Sequence, residues 1–399
     1  MSRSVAWRDL ALLFGAIGSF FLSLSMLIPT LPLYVRDLGG SPVEVGLVVG
    51  IFSLGVLAVR PFVGKAVDAR GRRPLLLLGS GLALAMAPLY AAFTAIAALL
   101  AVRLVHGAGL SAFTTASYAL IADLSPSHRR TEYLGYLSSA NIVAFAIGPL
   151  IGVELAKRMG YGALFAGVGV FALLSLACGF FLERAPRRDD EAGAIDYRSA
   201  ILRAEVLVPT ATLLLVTLAH GGTFTFLPIL LEERLAFNFG AFFLVYSGAS
   251  LLVRLAAGRI SRRWGDGPMV WGGLAIYAAG LATLPLVTDA TSMSVAGAIF
   301  GIGFGTYQPA VYGLVANVAT DRTRGMVFSV HLAAFDLGIG LGGFLAGPVV
   351  ARAGIPALLY GLVIVPLAAA ALFVTVLGWR PEPEAPALSE AALQEGSSP

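Results

Sequence analysis

Arg60-Pro-Phe-Val-Gly64-Lys-Ala-Val-Asp68-Ala-Arg70-Gly71-Arg72-Arg73-Pro74 is the stretch of this 399-residue chain that decides its fold. One apolar run feeds it from residue 43 and another leaves it at 74. A segment this charged between two membrane-length runs reads as a short, tight loop on the basic, cytoplasmic face of a bilayer. Glycine at 64 and 71 permits close backbone approach and a sharp reversal. Asp68 is the lone acid among Lys65, Arg70, Arg72 and Arg73, which makes it a pairing or capping group.

The stretch has an echo. A shift of 194 residues carries Arg60, Gly64, Gly71 and Pro74 onto Arg254, Gly258, Gly265 and Pro268. The same offset carries Gly107, Gly109 and Tyr118 onto Gly301, Gly303 and Tyr312, and Asp123 onto Asn317. Gly148-Pro149 recurs as Gly347-Pro348 at an offset of 199. The chain therefore reads as two related halves.

Apolar residues make up 58% of the chain and charged residues 13%, against roughly half and a quarter in soluble domains. The excess falls in runs of about twenty residues, the length that spans a bilayer core as a helix. Alternating ten-residue strands are absent, which excludes a β-barrel. The class is an all-α polytopic membrane protein. Twelve spans are expected near 9–35, 43–66, 74–93, 96–121, 131–155, 162–182, 206–231, 240–262, 268–288, 291–318, 325–350 and 355–378. Residues 1–185 form an N-terminal six-helix bundle, 186–204 a cytoplasmic linker, 205–380 a C-terminal six-helix bundle and 381–399 a disordered tail rich in Pro, Glu and Ser. The first apolar run begins near Asp9 and reads as a retained helix, not a signal peptide.

Nineteen Lys/Arg fall on one set of loops and ends and five on the other, which puts both termini in the cytoplasm. The net charge of +4 follows from those basic loops and does not point to nucleic acid. Cys178, the single cysteine, lies in an apolar run, so there is no disulfide framework and no metal cluster. A phosphate-binding G-x-x-x-x-G-K-[ST] loop is absent, which excludes ATP-driven transport within the chain. Gly301-Ile-Gly303-Phe-Gly305 lies inside a span and reads as packing. No nucleophile–base pair appears, no cofactor is expected, and the enzyme reading is poor.

Charges inside spans cost about 2.5–3.5 kcal/mol each on insertion scales, so each needs a reason. Asp336, in the middle of a glycine-rich span, reads either as a protonatable or cation-binding group or as a structural carboxylate paired with a neighbouring helix. Arg103 and His106 share one helix face at i, i+3. Arginine there can hold a carboxylate charged or bind an anion, and histidine can change charge near neutral pH; the alternative is an inter-helix hydrogen-bonding pair. Gly148, Pro149 and Gly152 give a kink and a close-packing face. Asn141, His220, Tyr246, Tyr307, Gln308, Tyr312 and His331 are polar or aromatic within spans. They line a cavity or, one by one, satisfy helix contacts. Glu44 and Glu154 sit near outer helix ends and read as solvated.

These motifs resemble the major facilitator superfamily over residues 5–380. Gly64, Asp68, Gly71, Arg72 and Arg73 are similar to its signature between helices 2 and 3, G-x-L-A-D-[RK]-x-G-[RK]-[RK], with departures at Ala66, Val67 and Ala69. The resemblance implies that Asp68 and its arginines latch the halves in one state, with Asp123 as the partner acid on helix 4. Leu99, Arg103, Gly107 and Gly109 resemble the helix 4 signature, whose arginine is tied to proton coupling; His106 stands where glutamine is common. Gly148-Pro149-x-x-Gly152 resembles the antiporter signature of helix 5, with Ala144 and Val153 replacing glycines. Arg60-Pro61 and Phe335-Asp336-Leu337-Gly338 resemble bacterial drug and sugar efflux permeases.

The expectation is a proton-coupled antiporter of the bacterial cytoplasmic membrane, acting as a monomer in the lipid bilayer and exporting a small amphipathic compound by alternating access. Asp336, or a carboxylate tuned by Arg103, would carry the proton. A proton-coupled nutrient symporter shares the fold with opposite flux. A non-transporting membrane sensor is opposed by a polar tail too short for a signalling domain.

Overall fold

The computed structural model describes residues 3–124, 130–183, 201–235, 237–319 and 323–378. The linker at 186–200 and the tail at 381–399 lie outside the described residues. Everything regular among the described residues is helical. The first half contains α1 (Arg3–Asp37), α2 (Pro42–Arg70), α3 (Arg72–Ala92) and α4 (Ile96–Leu124). The long helix Arg130–Phe180 follows, broken at Gly160 into α5 (130–159) and α6 (161–180). The second half contains α7 (Ala204–Arg234), α8 (Ala241–Trp264), α9 (Asp266–Thr283) with a 3-10 turn at Leu284–Leu286, and α10 (Ala290–Val318). Another long helix, Arg324–Leu362, breaks at Gly354 into α11 (324–353) and the start of α12, which continues as Ile364–Leu377. The expected segment boundaries fall close to the ends and breaks of these helices.

Local chemistry sets the ends. Ser41 caps α2 through a reciprocal box with Glu44, and Pro42 takes the first helical turn, where its missing N–H costs nothing. Glu44 is thus a capping group at an exposed helix end. Asp289 and Ser292 form the same box at α10. Gly71 ends α2 at φ +88° and ψ 167°, a region essentially reserved for glycine that costs an L side chain about 1–3 kcal/mol. Gly64 differs from the expectation: a Cβ built there meets nothing within 4 Å, so no backbone approaches it closely.

The repeat is structural. Gly265 turns α8 into α9 as Gly71 turns α2 into α3, and Gly354 breaks its helix as Gly160 does; both pairs are 194 residues apart. Packing repeats as well: α1 on α5, α2 on α4 and α3 on α4 recur as α7 on α11, α8 on α10 and α9 on α10. Gly107 lies against the Phe52 backbone as Gly301 lies against that of Tyr246, again 194 residues on. One expected equivalence fails. Gly148 packs on Leu22 and Ser25 of α1, within its own half, whereas Gly347 packs on Pro42 and Val43 of α2, across the halves. The structural counterpart of Gly148 is Gly342, which packs on Leu218 of α7.

Nine helices among the described residues are long and apolar enough to cross a membrane, and two of these are the double-length Ala140–Phe180 and Met326–Leu377. The α10 helix falls outside this set because glycines, Tyr307 and Gln308 dilute its apolar content. Large apolar side chains such as Phe62, Leu252, Leu255 and Ile364 stand exposed, as lipid contact requires.

Candidate functional site

The two halves meet along α2 against α11, α5 against α8 and α1 against α7. Small residues make the first seam tight. A Cβ on Gly50 would lie 2.8 Å from the Gly340 carbonyl, and one on Gly347 would lie 2.7 Å from the Pro42 carbonyl. At the Pro42 ends of the helices, polar contacts close the seams. Arg36 of α1 donates to Glu232 of α7 at 2.5 Å across the halves, and within the first half Asp37 accepts from Tyr161 at 2.6 Å. Asn238, in the turn before α8, donates to Glu154 of α5 at 2.9 Å. Glu154, expected to be solvated, thus ties the halves together and also pairs with Arg158. Nothing in the pattern of the sequence marked these contacts beyond their charge at helix ends.

Asp336 lies deeper on the α2–α11 seam. Its carboxylate accepts from Arg60 Nη2 at 2.5 Å, and the two side chains are only 17% and 20% exposed. Both readings of Asp336 from sequence meet here, since it is paired with a neighbouring helix and placed between the halves. Arg60 was recognisable as a charge inside a span, and Asp336 is the one acid in the middle of any described span. The pairing of the two followed from neither fact alone. Tyr118 of α4 and Tyr312 of α10, equivalent in the repeat, lie within electrostatic range of this pair.

Arg103 is buried, and its Nε donates to the Val48 carbonyl at 3.2 Å while its guanidinium stacks 4.1 Å from the Phe52 ring centroid. Among the described residues it meets no carboxylate. His106 Nδ1 lies 2.9 Å from the Tyr90 hydroxyl, with both side chains buried between α3 and α4. His220 repeats this theme in the second half, 3.1 Å from the Tyr277 hydroxyl and packed among Phe224, Tyr246, Phe300 and Phe304. His331 pairs with Thr210 at 3.0 Å, and Tyr312 meets its ring edge-on. Tyr307 is fully buried, and the Asn141 amide oxygen is buried without a hydrogen bond among the described residues. Gln308 accepts from Arg254. The polar residues singled out from sequence therefore divide. His106, His220 and His331 serve helix contacts inside one half, whereas Gln308 and Tyr312 lie near the buried charges.

The loop signature is also divided. Arg72 pairs with Asp123 at 2.9 Å, and their side chains are 12% and 13% exposed, so this bond joins α3 to α4 within the first half. Arg73 donates to the Gly179 carbonyl at 3.3 Å and to the Phe180 carbonyl at the end of α6. The side chain of Asp68 lies outside the described part of the structure. Gly148 and Gly152 pack on α1, while the Pro149 carbonyl approaches Gly240 across the halves. No cluster of metal-ligating side chains occurs among the described residues.

Long apolar helices packed along glycine seams, with the Arg60–Asp336 pair buried between two of them, make this a polytopic membrane protein. Residues 13–296 and 236–397 match the Major Facilitator Superfamily, and the chain belongs to that family. It is 26% identical over 361 residues to the quinolone resistance protein NorA of Staphylococcus aureus, covering 85% of this chain and 89% of that protein. It is 28% identical over 376 residues to the multidrug resistance protein MdtG of Yersinia enterocolitica, covering 88% and 89%. The nucleoside transporter NupG shares the fold with a TM-score of 0.77 at 12% identity, over 92% of this chain and 99% of that one. An inward-facing bacterial homologue of the human lysosomal transporter Spinster does so with a TM-score of 0.75 at 18% identity, over 96% and 100%. The chain is thus a transporter of a small-molecule substrate with multidrug-efflux relatives.

Proposed function

We propose that this transporter is a proton-coupled antiporter of a bacterial cytoplasmic membrane, and that it exports a small amphipathic compound. The observation that carries the proposal is the Arg60–Asp336 pair between α2 and α11. A charged carboxylate holds the two helices together there. A proton on Asp336 removes that attraction, so proton binding and the spacing of the halves are linked. Arg103 is the weaker candidate for the coupling group, because its partners in the described structure are a carbonyl and a ring. His106 supports α3 against α4 in this reading. The resistance proteins NorA and MdtG, by their names, support export of a drug-like molecule.

The bias of basic residues places both termini in the cytoplasm and the Pro42 ends outside. The contacts Arg36–Glu232, Asn238–Glu154 and Gly347–Pro42 then close the outer side, and export requires that they part. Arg72–Asp123 fixes the inner ends of α3 and α4 as one unit during that motion. The halves divide at the linker 186–204, and one chain is sufficient as a monomer.

The test is accumulation of a panel of amphipathic dyes in an efflux-deficient bacterium. Expression of the chain should lower the steady-state level of at least one dye several-fold. Asp336→Asn, at equal abundance in the membrane, should not. Accumulation raised by the wild-type chain would reverse the direction of flux and reject export.

A further inference from the structure

The exposed face of α8 changes character along its length. Leu244, Leu252 and Leu255 stand on it, the last two 70% and 71% exposed. From Leu244 to Leu255 a helix rises about 16 Å, one leaflet's share of a hydrocarbon core about 30 Å thick. One turn beyond Leu255 come Arg259, Arg262 and Arg263, all exposed. At about 100° per residue, the three leucines and three arginines fall in one sector of roughly 100°. The face is thus apolar for three turns and basic at its end.

Among the described residues none of these arginines is in an ion pair. Asp266, at the start of α9, is turned away from them. It accepts from Ser261 Oγ at 2.6 Å, and its other oxygen would lie 3.1 Å from a Cβ on Gly313 of α10. Between the leucines and the arginines lies Gly258, itself exposed. A Cβ added there would meet only Arg262 Nη1, at 3.7 Å. The absent side chain leaves a notch where apolar surface gives way to basic surface, with a guanidinium at its edge.

The first half does not repeat this surface. At the offset of 194, Lys65 stands for Arg259, Asp68 for Arg262 and Ala69 for Arg263. Arg72 and Arg73, the next cations of that loop, are engaged with Asp123 and with the Gly179 and Phe180 carbonyls. Three clustered arginines below a leucine stripe are therefore particular to α8, and a general basic bias of the loops does not account for them.

We infer that the notch at Gly258 seats the headgroup of an anionic phospholipid. Arg259, Arg262 and Arg263 surround its phosphate, and its acyl chains lie along Leu255, Leu252 and Leu244. Guanidinium forks donate in pairs to phosphate oxygens. A free phosphate would use the cations and leave the leucines without a role, whereas a lipid matches both. The site serves either direction of flux.

Native mass spectrometry of the purified full chain in detergent reads bound lipid as its concentration is raised. Phosphatidylglycerol should bind at least tenfold tighter than phosphatidylcholine with the same acyl chains. Arg262→Gln should weaken phosphatidylglycerol about fivefold, the effect of one basic residue at an anionic headgroup. Gly258→Leu, which fills the notch and keeps every charge, should weaken it several-fold as well. Lys65→Gln, at the equivalent place in the first half, should leave it unchanged. Equal affinity for the two lipids in the wild-type chain overturns the inference, whether or not the variants fold. Wild-type binding by Gly258→Leu, or an equal loss in Lys65→Gln, overturns the placement on α8. Displacement of the lipid by millimolar inorganic phosphate, beyond that caused by chloride at the same ionic strength, overturns the lipid assignment.

Discussion

Breaking the Arg60–Asp336 pair from either side should destabilise the protein, and removing both partners should largely restore it. Loss of one member of a buried ion pair costs about 3–5 kcal/mol, because the other charge stays buried without compensation. Here each side chain keeps about a fifth of its exposure, and the amide introduced by Asp336→Asn could still accept one hydrogen bond. That places Asp336→Asn and Arg60→Met at or below the bottom of that range, at about 2–3 kcal/mol each. For a chain of this size about 2 °C of melting temperature accompanies each kcal/mol, so each single change should lower it by roughly 4–6 °C. The double variant should return to within about 2 °C of wild type, since a neutral pair in the seam needs no compensation. Cys178, the single cysteine and partly buried in α6, supplies the assay: a dye that fluoresces on reaction with a thiol reports its exposure during a thermal ramp in detergent. If the double variant melted at the sum of the two single losses, the residues would act independently, and the pair would not hold the seam.

Gly71→Ala should cost about 1–3 kcal/mol, because φ +88° with ψ 167° is a backbone region that L side chains hardly adopt, and chemical denaturation in detergent can read the loss. Gly343→Val should cost about 1–3 kcal/mol, since a Cβ there lies 3.1 Å from the Gly46 carbonyl. Gly361→Ala, where a Cβ meets nothing within 4 Å, is the matched control and should melt no lower than wild type. Asp289, in the loop before α10, has its carboxyl held below the usual aspartate value by its hydrogen bonds with Ser292. A depressed folded pKa gives stability that is present above the unfolded value of about 3.9 and lost as pH falls through the folded one. The melting deficit of Asp289→Ala should therefore be present at pH 7 and shrink below about pH 4.

Most of the fold was readable because a bilayer enforces a simple rule. Runs of twenty apolar residues must be helices, and the loop Gly71–Pro74 with its copy at Gly265–Pro268 marked the repeat. The breaks at Gly160 and Gly354 lie 194 residues apart, as that repeat requires. The Gly-Pro pairs misled, since a two-residue match at another offset records composition and not position in the bundle. At the site, the residue types were visible but their partners were not. Arg60 and Asp336 are 276 residues apart, and only the crossing of α2 with α11 brings them together. In the sequence His106 reads as a group able to change charge, and His220 and His331 as cavity or helix-contact residues. Their burial against Tyr90, Tyr277 and Thr210 is a property of helix rotation, which one sequence does not fix.

The exchange of a proton for substrate at Asp336 is tested most directly in everted membrane vesicles energised to be acidic inside, with a pH dye in the lumen. A dye identified by the accumulation assay is added from outside. The account predicts that the wild-type chain alkalinises the lumen as substrate enters, and that Asp336→Asn, present at the same level, gives no change. Equal alkalinisation by the variant would remove Asp336 from the coupling step, and substrate entry without proton movement in the wild type would reject antiport altogether.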